Sequence, residues 1–361
     1  MTWHEVSIKQ ICDVDWGNTK LTKSSYVPDG KYLAVSASGA DGLIDYFEHE
    51  ANVPVLSAIG AQCGRMFYPG ERFTAIKNTI TLTPKQTMAD GKFLYYLFTH
   101  VELPQRGAGQ PFISKGDIEA FRVLIPDNVD EQLEIVIKLD GAFADINLFE
   151  ENLASVEVKV NQLLKSILDS EYSVQGLKIE PLEKLVDILD NQRIPINATE
   201  RLQRVGNVPY YGATGQVGTI DKAIFNETLI LLGEDGVPFF DSTKHKAYEI
   251  SGPSWVNNHA HVLRAKPELV IQRYLLHFLN IFNYTGYVNG ATRLKLTQGD
   301  MKQIPVPVPD IDVQEKIVTK IDLAFQEINN LNVQIALKKE IAKELRQSIL
   351  SNAFTHDKAV A

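Results

Sequence analysis

Apolar residues recur at intervals of three and four along Val136, Leu139, Phe143, Ile146, Phe149, Leu153, Val156, Val160, Leu163 and Ile167. That spacing lines one face of an α-helix, and no proline interrupts it. Adding 182 to each number gives Val318, Ile321, Phe325, Ile328, Leu331, Ile335, Lys338, Ala342, Leu345 and Ile349, a second stripe broken only by Lys338. A helix of about 40 residues is roughly 60 Å long at 1.5 Å per residue, more than a small domain can bury. Each stripe therefore needs another long helix, and the two are expected to pair with each other inside the chain as a coiled coil. The pairing positions are Val136, Leu139, Phe143, Ile146, Leu153 and Val160 on the first helix, and Val318, Ile321, Phe325, Ile328, Ile335 and Leu345 on the second. Pro126 and the Pro305, Pro307 and Pro309 run mark where these helices begin, and Gly141 is a modest weakness inside the first.

The stretches ahead of the helices are patterned differently. β-rich runs at 31–35, 79–82 and 228–232 are separated by turn signals such as Pro28-Asp29-Gly30 and Glu234-Asp235-Gly236. One amphipathic helix per stretch is predicted, at 91–101 and 267–282. The fold class is α/β (α+β): two mixed globular segments separated by two long helices. The boundaries are 1–130, 131–172, 173–311 and 312–361.

The two halves match. Gly107, Gly116-Asp117 and Pro126 recur 183 residues on as Gly290, Gly299-Asp300 and Pro309. Gln132, Ile135-Val136, Lys138, Asp140 and Phe143 recur 182 residues on as Gln314, Ile317-Val318, Lys320, Asp322 and Phe325. A weaker match aligns Gly39, Gly42 and Ile44-Asp45 with Gly215, Gly218 and Ile220-Asp221. The chain reads as a pseudo-two-fold internal repeat, each copy a globular segment followed by a helix.

Composition adds limits. The 361 residues carry 36 basic and 45 acidic side chains, a formal charge of −9. Residues 131–170 hold three of the basic and eight of the acidic ones, so the globular segments are near balance. Global acidity argues against strong unaided phosphate binding but leaves room for local basic loops or a basic partner. Two cysteines, Cys12 and Cys63, cannot build a disulfide framework. The N-terminal sequence does not read as a signal peptide, and no run of 18 apolar residues occurs, so a cytoplasmic location without membrane contact is expected.

No nucleophile elbow, phosphate-binding glycine loop or dinucleotide fingerprint is present. Asn207-Val208-Pro209-Tyr210 weakly matches the Asn-Pro-Pro-Tyr tract of amino-methyltransferases, but its second residue differs and no glycine-rich cofactor loop precedes it. No catalytic residue, metal or cofactor is expected. The polar tract Asn257, Asn258, His259, Ala260, His261 admits three readings. On a strand, the two histidines share a face and offer a metal two ligands, although nothing nearby completes the set. Alternatively the tract satisfies backbone groups at a strand end, or it meets DNA bases or phosphates. Two loops at equivalent repeat positions carry glycine with Arg, Gln and Asn, the side chains that read guanine and adenine bidentately. They contribute Gln105, Arg106 and Gln110, and Asn289, Thr292, Arg293 and Lys295. A second loop pair offers Ser36 and Ser38, and Tyr210, Tyr211 and Thr214, with core or turn roles open to the tyrosines.

The order of segment and helix resembles the specificity subunit of type I restriction–modification systems. So do Gly290-Ala291-Thr292-Arg293, Gly299-Asp300-Met301, Ile304 to Pro309 and Gln314 to Val318. Tyr211 to Gly215 and Trp255 to His261 are similar to parts of its recognition domains; in the first copy Lys77, Asn78, Thr79, Ile80 and Thr81 stand in place of Asn257 to His261. The resemblance covers nearly the whole chain. It implies a non-catalytic protein with two target recognition domains, each reading half of a bipartite asymmetric sequence in double-stranded DNA. The helices would form an intramolecular antiparallel coiled coil that fixes the gap between half-sites and docks two methyltransferase (modification) subunits, with a motor–nuclease (restriction) subunit joining for cleavage. The competing expectation is a coiled-coil repeat scaffold without DNA recognition.

Overall fold

The computed structural model describes residues 2–107, 109–173, 177–241, 244–290 and 293–355. They fall into two compact units, residues 1–154 with 336–361, and residues 155–335. Each unit thus combines one expected globular segment with one end of each long helix.

The first unit runs β1 Trp3–Ser7, α1 Ile8–Ile11, β2 Cys12–Trp16, β3 Tyr32–Ser36, β4 Gly39–Ile44, β5 Val55–Ser57, β6 Met66–Phe67, β7 Phe73–Ala75, β8 Thr79–Pro84, α2 Gly91–His100, α3 Lys115–Ala120 and β9 Arg122–Pro126, then enters α4, Val129–Tyr172. The second runs β10 Ile179–Pro181, α5 Leu182–Leu185, β11 Val186–Ile188, α6 Ala198–Gln203, β12 Val208–Tyr211, β13 Gln216–Ile220, β14 Phe225–Asn226, β15 Leu229–Gly233, β16 Ala247–Ile250, β17 Pro253–Val256, β18 Ala260–Ala265, α7 Gln272–Ile281, β19 Val288–Asn289, β20 Lys295–Leu296, α8 Gln298–Lys302 and β21 Pro305–Pro307, then enters α9, Ile311–Phe354.

The duplication read from the sequence holds at the level of topology. The first unit has sheets β2-β8-β5-β6 and β4-β3-β7, with β1 pairing β9. The second has β11-β18-β15-β16 and β13-β12-β17-β14, with β10 pairing β21. Inside each middle sheet one pair is parallel, β3 with β7 and β12 with β17. The hairpin preceding it carries an irregularity at the same place, between Ala34 and Val35 and between Tyr210 and Tyr211. Helix α6, strand β14 and the β19–β20 ribbon elaborate the second copy.

Both copies anchor the globular part to the start of its long helix through one glutamine. Gln132 is fully buried; its amide oxygen accepts from Asp90 N at 2.9 Å and its amide nitrogen donates to Met88 O at 3.0 Å. Gln314, also fully buried, accepts from Ile271 N at 2.8 Å and donates to Leu269 O and Pro309 O at 3.1 and 2.8 Å. These bonds hold the backbone before α2 and α7. They also explain why the second helix starts at Gln272 rather than 267: residues 267–271 are pinned as a turn. About two turns further, Asp140 accepts from Lys92 and Tyr96 at 2.7 and 2.5 Å, and Asp322 accepts from Arg273 at 2.8 Å beside His277.

Within the first unit, Val136, Leu139, Phe143 and Ile146 of α4 share a buried cluster with Ala342 and Phe354 of α9. Arg346 lies 5.0 Å over the Phe143 ring and donates to Asn147 at 2.6 Å, so the two helices run antiparallel there. Within the second unit, Leu168 and Tyr172 pack with Ile317 and Ile321, with Val318 and Phe325 half-buried against them; Lys320 bonds Glu171. The buried seam has a strict seven-residue spacing: Leu139, Ile146, Leu153 and Val160 on α4, and Ile321, Ile328, Ile335 and Ala342 on α9. Leu345 does not belong to it and is 48% exposed, and Phe149, Val156, Leu163 and Leu331 are exposed as well. Each lies three residues past a seam position, whereas the neighbouring seam position lies four past. There Glu150 and Arg346 face each other at 3.5 Å, and their polarity hid the register. No helix among the described residues is long and apolar enough to cross a membrane.

Candidate nucleic-acid interface

In the first unit the β3–β4 and β7–β8 turns meet around a cavity of about 310 Å³ lined by Thr22, Lys23, Ser36, Ser38, Lys77 and Asn78. Four expected contact residues therefore come together. Two are exposed on it, Ser38 and Lys77. Asn78 holds the turn at φ 71°, a left-handed conformation that asparagine tolerates. Ser36 is buried and donates to Asp41 at 2.9 Å, while its oxygen accepts from Ser38 N at 3.0 Å. Asp41 also accepts from Lys23 at 2.5 Å and Tyr26 at 2.6 Å. Burial alone would raise the Asp41 carboxyl; the bonds from Lys23, Tyr26 and Ser36 outweigh it and hold the group below the usual carboxylate range. Thr79 is buried, its hydroxyl donating to Ile76 O at 2.6 Å, so it braces the turn instead of reaching outward.

The loops expected to read bases share a backbone device. Gly107 has φ 87° and Gly290 φ 107°, and a Cβ on either would lie 2.5 or 2.4 Å from a carbonyl three residues on, of Gln110 or Arg293. Only glycine fits a turn this tight with positive φ. Arg106 is paired with Asp117, whose carboxyl is held below its usual range first by the Ser114 hydroxyl and further by Arg106. The equivalent contact in the second unit runs from Asn289 to Asp300 at 3.4 Å. Gln105 donates to Cys63 O at 3.2 Å, and both it and Gln110 are exposed. Thr292 lies outside the described residues.

In the second unit the polar tract divides. Asn258 is exposed, Asn257 accepts the His259 backbone N–H at 2.8 Å, and His259 Nδ1 lies 2.8 Å from Asp235. His261 is 1% exposed, with Nδ1 2.6 Å from Asp190 and Nε2 2.9 Å from Leu296 O. Neither metal ligation nor base contact is open to it: both ring nitrogens are engaged inside the unit. Burial raises and the His261 bond lowers the Asp190 carboxyl, and with Val262 N and Arg193 added the balance lies below the usual range. The two histidines address different carboxylates, and among the described residues no three His, Cys, Asp or Glu side chains gather as a metal site. Strand pairing also corrects the repeat alignment here by one residue. Leu56 faces Ile80 and Leu232 faces His261, so His261 stands where the first copy has Ile80, a core position.

Tyr210 is buried as well, because it matches the core residue Ala34; Arg201 sits over its ring at 5.1 Å. Tyr211 is half-buried against Tyr248, and Thr214 is exposed at the hairpin tip. Arg293 donates to Asp235 at 2.7 Å and Lys295 to Glu234 at 3.1 Å. Ser36, Thr79, Tyr210 and His261 are thus supports beneath the loops, while Ser38, Lys77, Gln105, Arg106, Gln110, Thr214, Asn258, Asn289, Arg293 and Lys295 are exposed. The sequence marks Glu234-Asp235-Gly236 as a turn. The acidic pair is in fact the anchor for Arg193, His259, Arg293 and Lys295.

A family model described as "Type I restriction modification DNA specificity domain" matches residues 1–158 and again residues 177–341. The chain belongs to this family. A putative type I restriction enzyme specificity subunit of Haemophilus influenzae is 34% identical over 157 residues, covering 42% of this chain and 39% of that protein. The EcoDI specificity subunit of Escherichia coli is 21% identical over 408 aligned positions, 94% of this chain and 88% of that one. The chain therefore spans well under half of the first relative's length in that match and most of the second's. A chain in the solved structure "Structural basis underlying complex assembly and conformational transition of the type I R-M system" shares the fold, with a TM-score of 0.74 over 98% of both chains at 14% identity.

Proposed function

We propose that this specificity-domain protein reads a bipartite, asymmetric DNA target for a type I restriction–modification complex, each unit contacting one half-site through its exposed loops. Residues 1–130 and 173–311 are the two readers. Residues 131–172 and 312–361 form the spacer that docks two methyltransferase subunits and, through them, a motor–nuclease subunit. The chain itself supplies recognition and no catalytic group.

One observation carries this reading. The two units keep the same framework down to Gln132 and Gln314 or Asp140 and Asp322, yet at equivalent loop positions their exposed side chains differ. Lys77 and Asn78 stand where the other copy has Asn258 and His259, and Arg106 and Gln110 where it has Asn289 and Arg293. Two readers on one scaffold with unlike side chains suit two unlike half-sites, because base edges in the major groove are told apart by donor and acceptor pattern. A scaffold protein has no use for glycine-tightened loops bearing Arg, Gln and Asn.

The test assembles the full chain with its methyltransferase subunits, offers a random duplex library and sequences the methylated DNA. A single gapped, asymmetric motif is expected. Arg293→Ala and Asn258→Ala should relax one half of it and Arg106→Ala the other, each by about 1–3 kcal/mol of discrimination. Methylation with no motif refutes the reading; a motif unchanged in all three variants refutes the residue assignments.

A further inference from the structure

The carboxylate beneath the second unit's loop has a geometry that its role as a turn residue does not require. Asp235 Oδ1 accepts from Arg293 Nη2 at 2.7 Å and lies 2.8 Å from His259 Nδ1, with those two nitrogens 3.4 Å apart. The acid is 16% exposed while Arg293 is 61% and His259 40% exposed, so the carboxylate sits below and the two readers stand above it. The backbone fixes the arrangement: Leu296 N donates to Glu234 O at 2.7 Å, and Asp235 bridges Lys295. A Cβ added at Gly236, whose φ is 69°, would lie 3.7 Å from the Arg293 guanidinium.

We propose that Asp235 is a positioning residue for DNA discrimination: it holds Arg293 and His259 as a preformed pair and offsets the arginine's charge until bases of the right pattern engage them. The inference rests on the DNA-reading function proposed above and deepens it. A guanidinium held on a fixed carboxylate keeps its fork aimed, which is what bidentate base contact needs. The same carboxylate opposes non-specific attraction to phosphates, the sequence-independent part of DNA affinity. An arginine without it grips any duplex more strongly and points less well.

The experiment uses the full chain assembled with its methyltransferase subunits. It measures binding to the duplex selected from the random library and to a scrambled duplex of equal length, across a salt series. Asp235→Asn keeps the shape and removes the charge. Glu227→Gln is the control: Glu227 holds Arg264 by two bonds of 2.6 Å at the far end of the β15–β18 pair, and its loss changes net charge identically. With Asp235→Asn the salt slope on scrambled DNA should steepen by about 0.9, as for one more phosphate contact. The ratio of selected to scrambled affinity should fall about tenfold, within the range of one bidentate contact. Glu227→Gln should change neither, and in an Arg293→Gln background Asp235→Asn should lose its effect. If the asparagine variant does not fold, Asp235→Ser replaces it. A parent that selects a sequence while Asp235→Asn behaves like Glu227→Gln overturns this inference alone. A parent that selects nothing overturns the underlying reading.

Discussion

Replacing Gln314 by leucine tests the anchor that joins the second unit's globular part to its long helix. Leucine approximates the glutamine in volume, so the change isolates hydrogen bonding from cavity formation. Three bonds vanish, leaving Ile271 N–H and the Leu269 and Pro309 carbonyls without their partner at a fully buried side chain. At about 1 kcal/mol or more for each orphaned buried group, the loss is about 3–5 kcal/mol. Gln132→Leu removes two bonds and should cost about 2–3 kcal/mol in the first unit by the same rule. The two losses can be read separately. Trp255 is the second unit's tryptophan and is buried, while Trp3 and Trp16 belong to the first. Urea unfolding of the full chain with Trp3→Phe and Trp16→Phe then follows the second unit by fluorescence. Gln314→Leu should lower that transition, and Gln132→Leu should leave it nearly in place. A Gln314→Leu protein within about 0.5 kcal/mol of its parent, the scatter of a surface change, would show that the amide is not what fixes the start of α7.

The seam register predicts that Ile321→Ala costs about 2–5 kcal/mol while Leu345→Ala stays within about 0.5 kcal/mol, both read by urea unfolding; equal losses would restore the three-residue spacing. Asp190→Asn breaks the contact to buried His261 and weakens the bond to Val262 N, at about 3–5 kcal/mol near neutral pH. Because the folded carboxyl titrates below its unfolded value, its stabilisation is full above about pH 4 and fades as pH falls through the folded value. Parent and variant should therefore converge in acid, and a gap that is constant from neutrality down to pH 3 would contradict this.

The repeat, the long helices and the strand runs at 31–35, 79–82 and 228–232 were legible in the sequence because each is a local pattern. Sheet order was not. β1 pairs β9 across more than a hundred residues, Trp3 opposite Pro126, and nothing near either strand announces the other. At two positions the structure differs from the pattern. Leu345 was placed on the seam because leucine outranks arginine in any hydrophobic count, yet Arg346 packs over Phe143 there. His261 looked like a contact residue because it is polar, yet strand pairing sets it in the core position of Ile80. In each case a distant partner accommodates the polar side chain: half-buried Arg346 lies over a ring beside an acid, and buried His261 meets Asp190. Period alone cannot see such satisfaction, because the partner is distant in sequence.

The chain's acidity then takes on a local meaning. Lys23 is bonded to Asp41, Arg106 to Asp117, Arg293 to Asp235 and Lys295 to Glu234, each pair inside its own unit and each at a loop. Part of the near balance of charge in the globular parts thus lies in matched contacts on the candidate reading surface. Exposed pairs of this kind add little to stability, so stability does not account for their position. Under the proposed function their effect falls on DNA binding. A loop whose cations are already matched gains less from a bare phosphate than from a base edge that takes over the arginine fork in full. Under the proposed function, loops arranged in this way favour sequence over charge and leave most of the phosphate grip to the partner subunits.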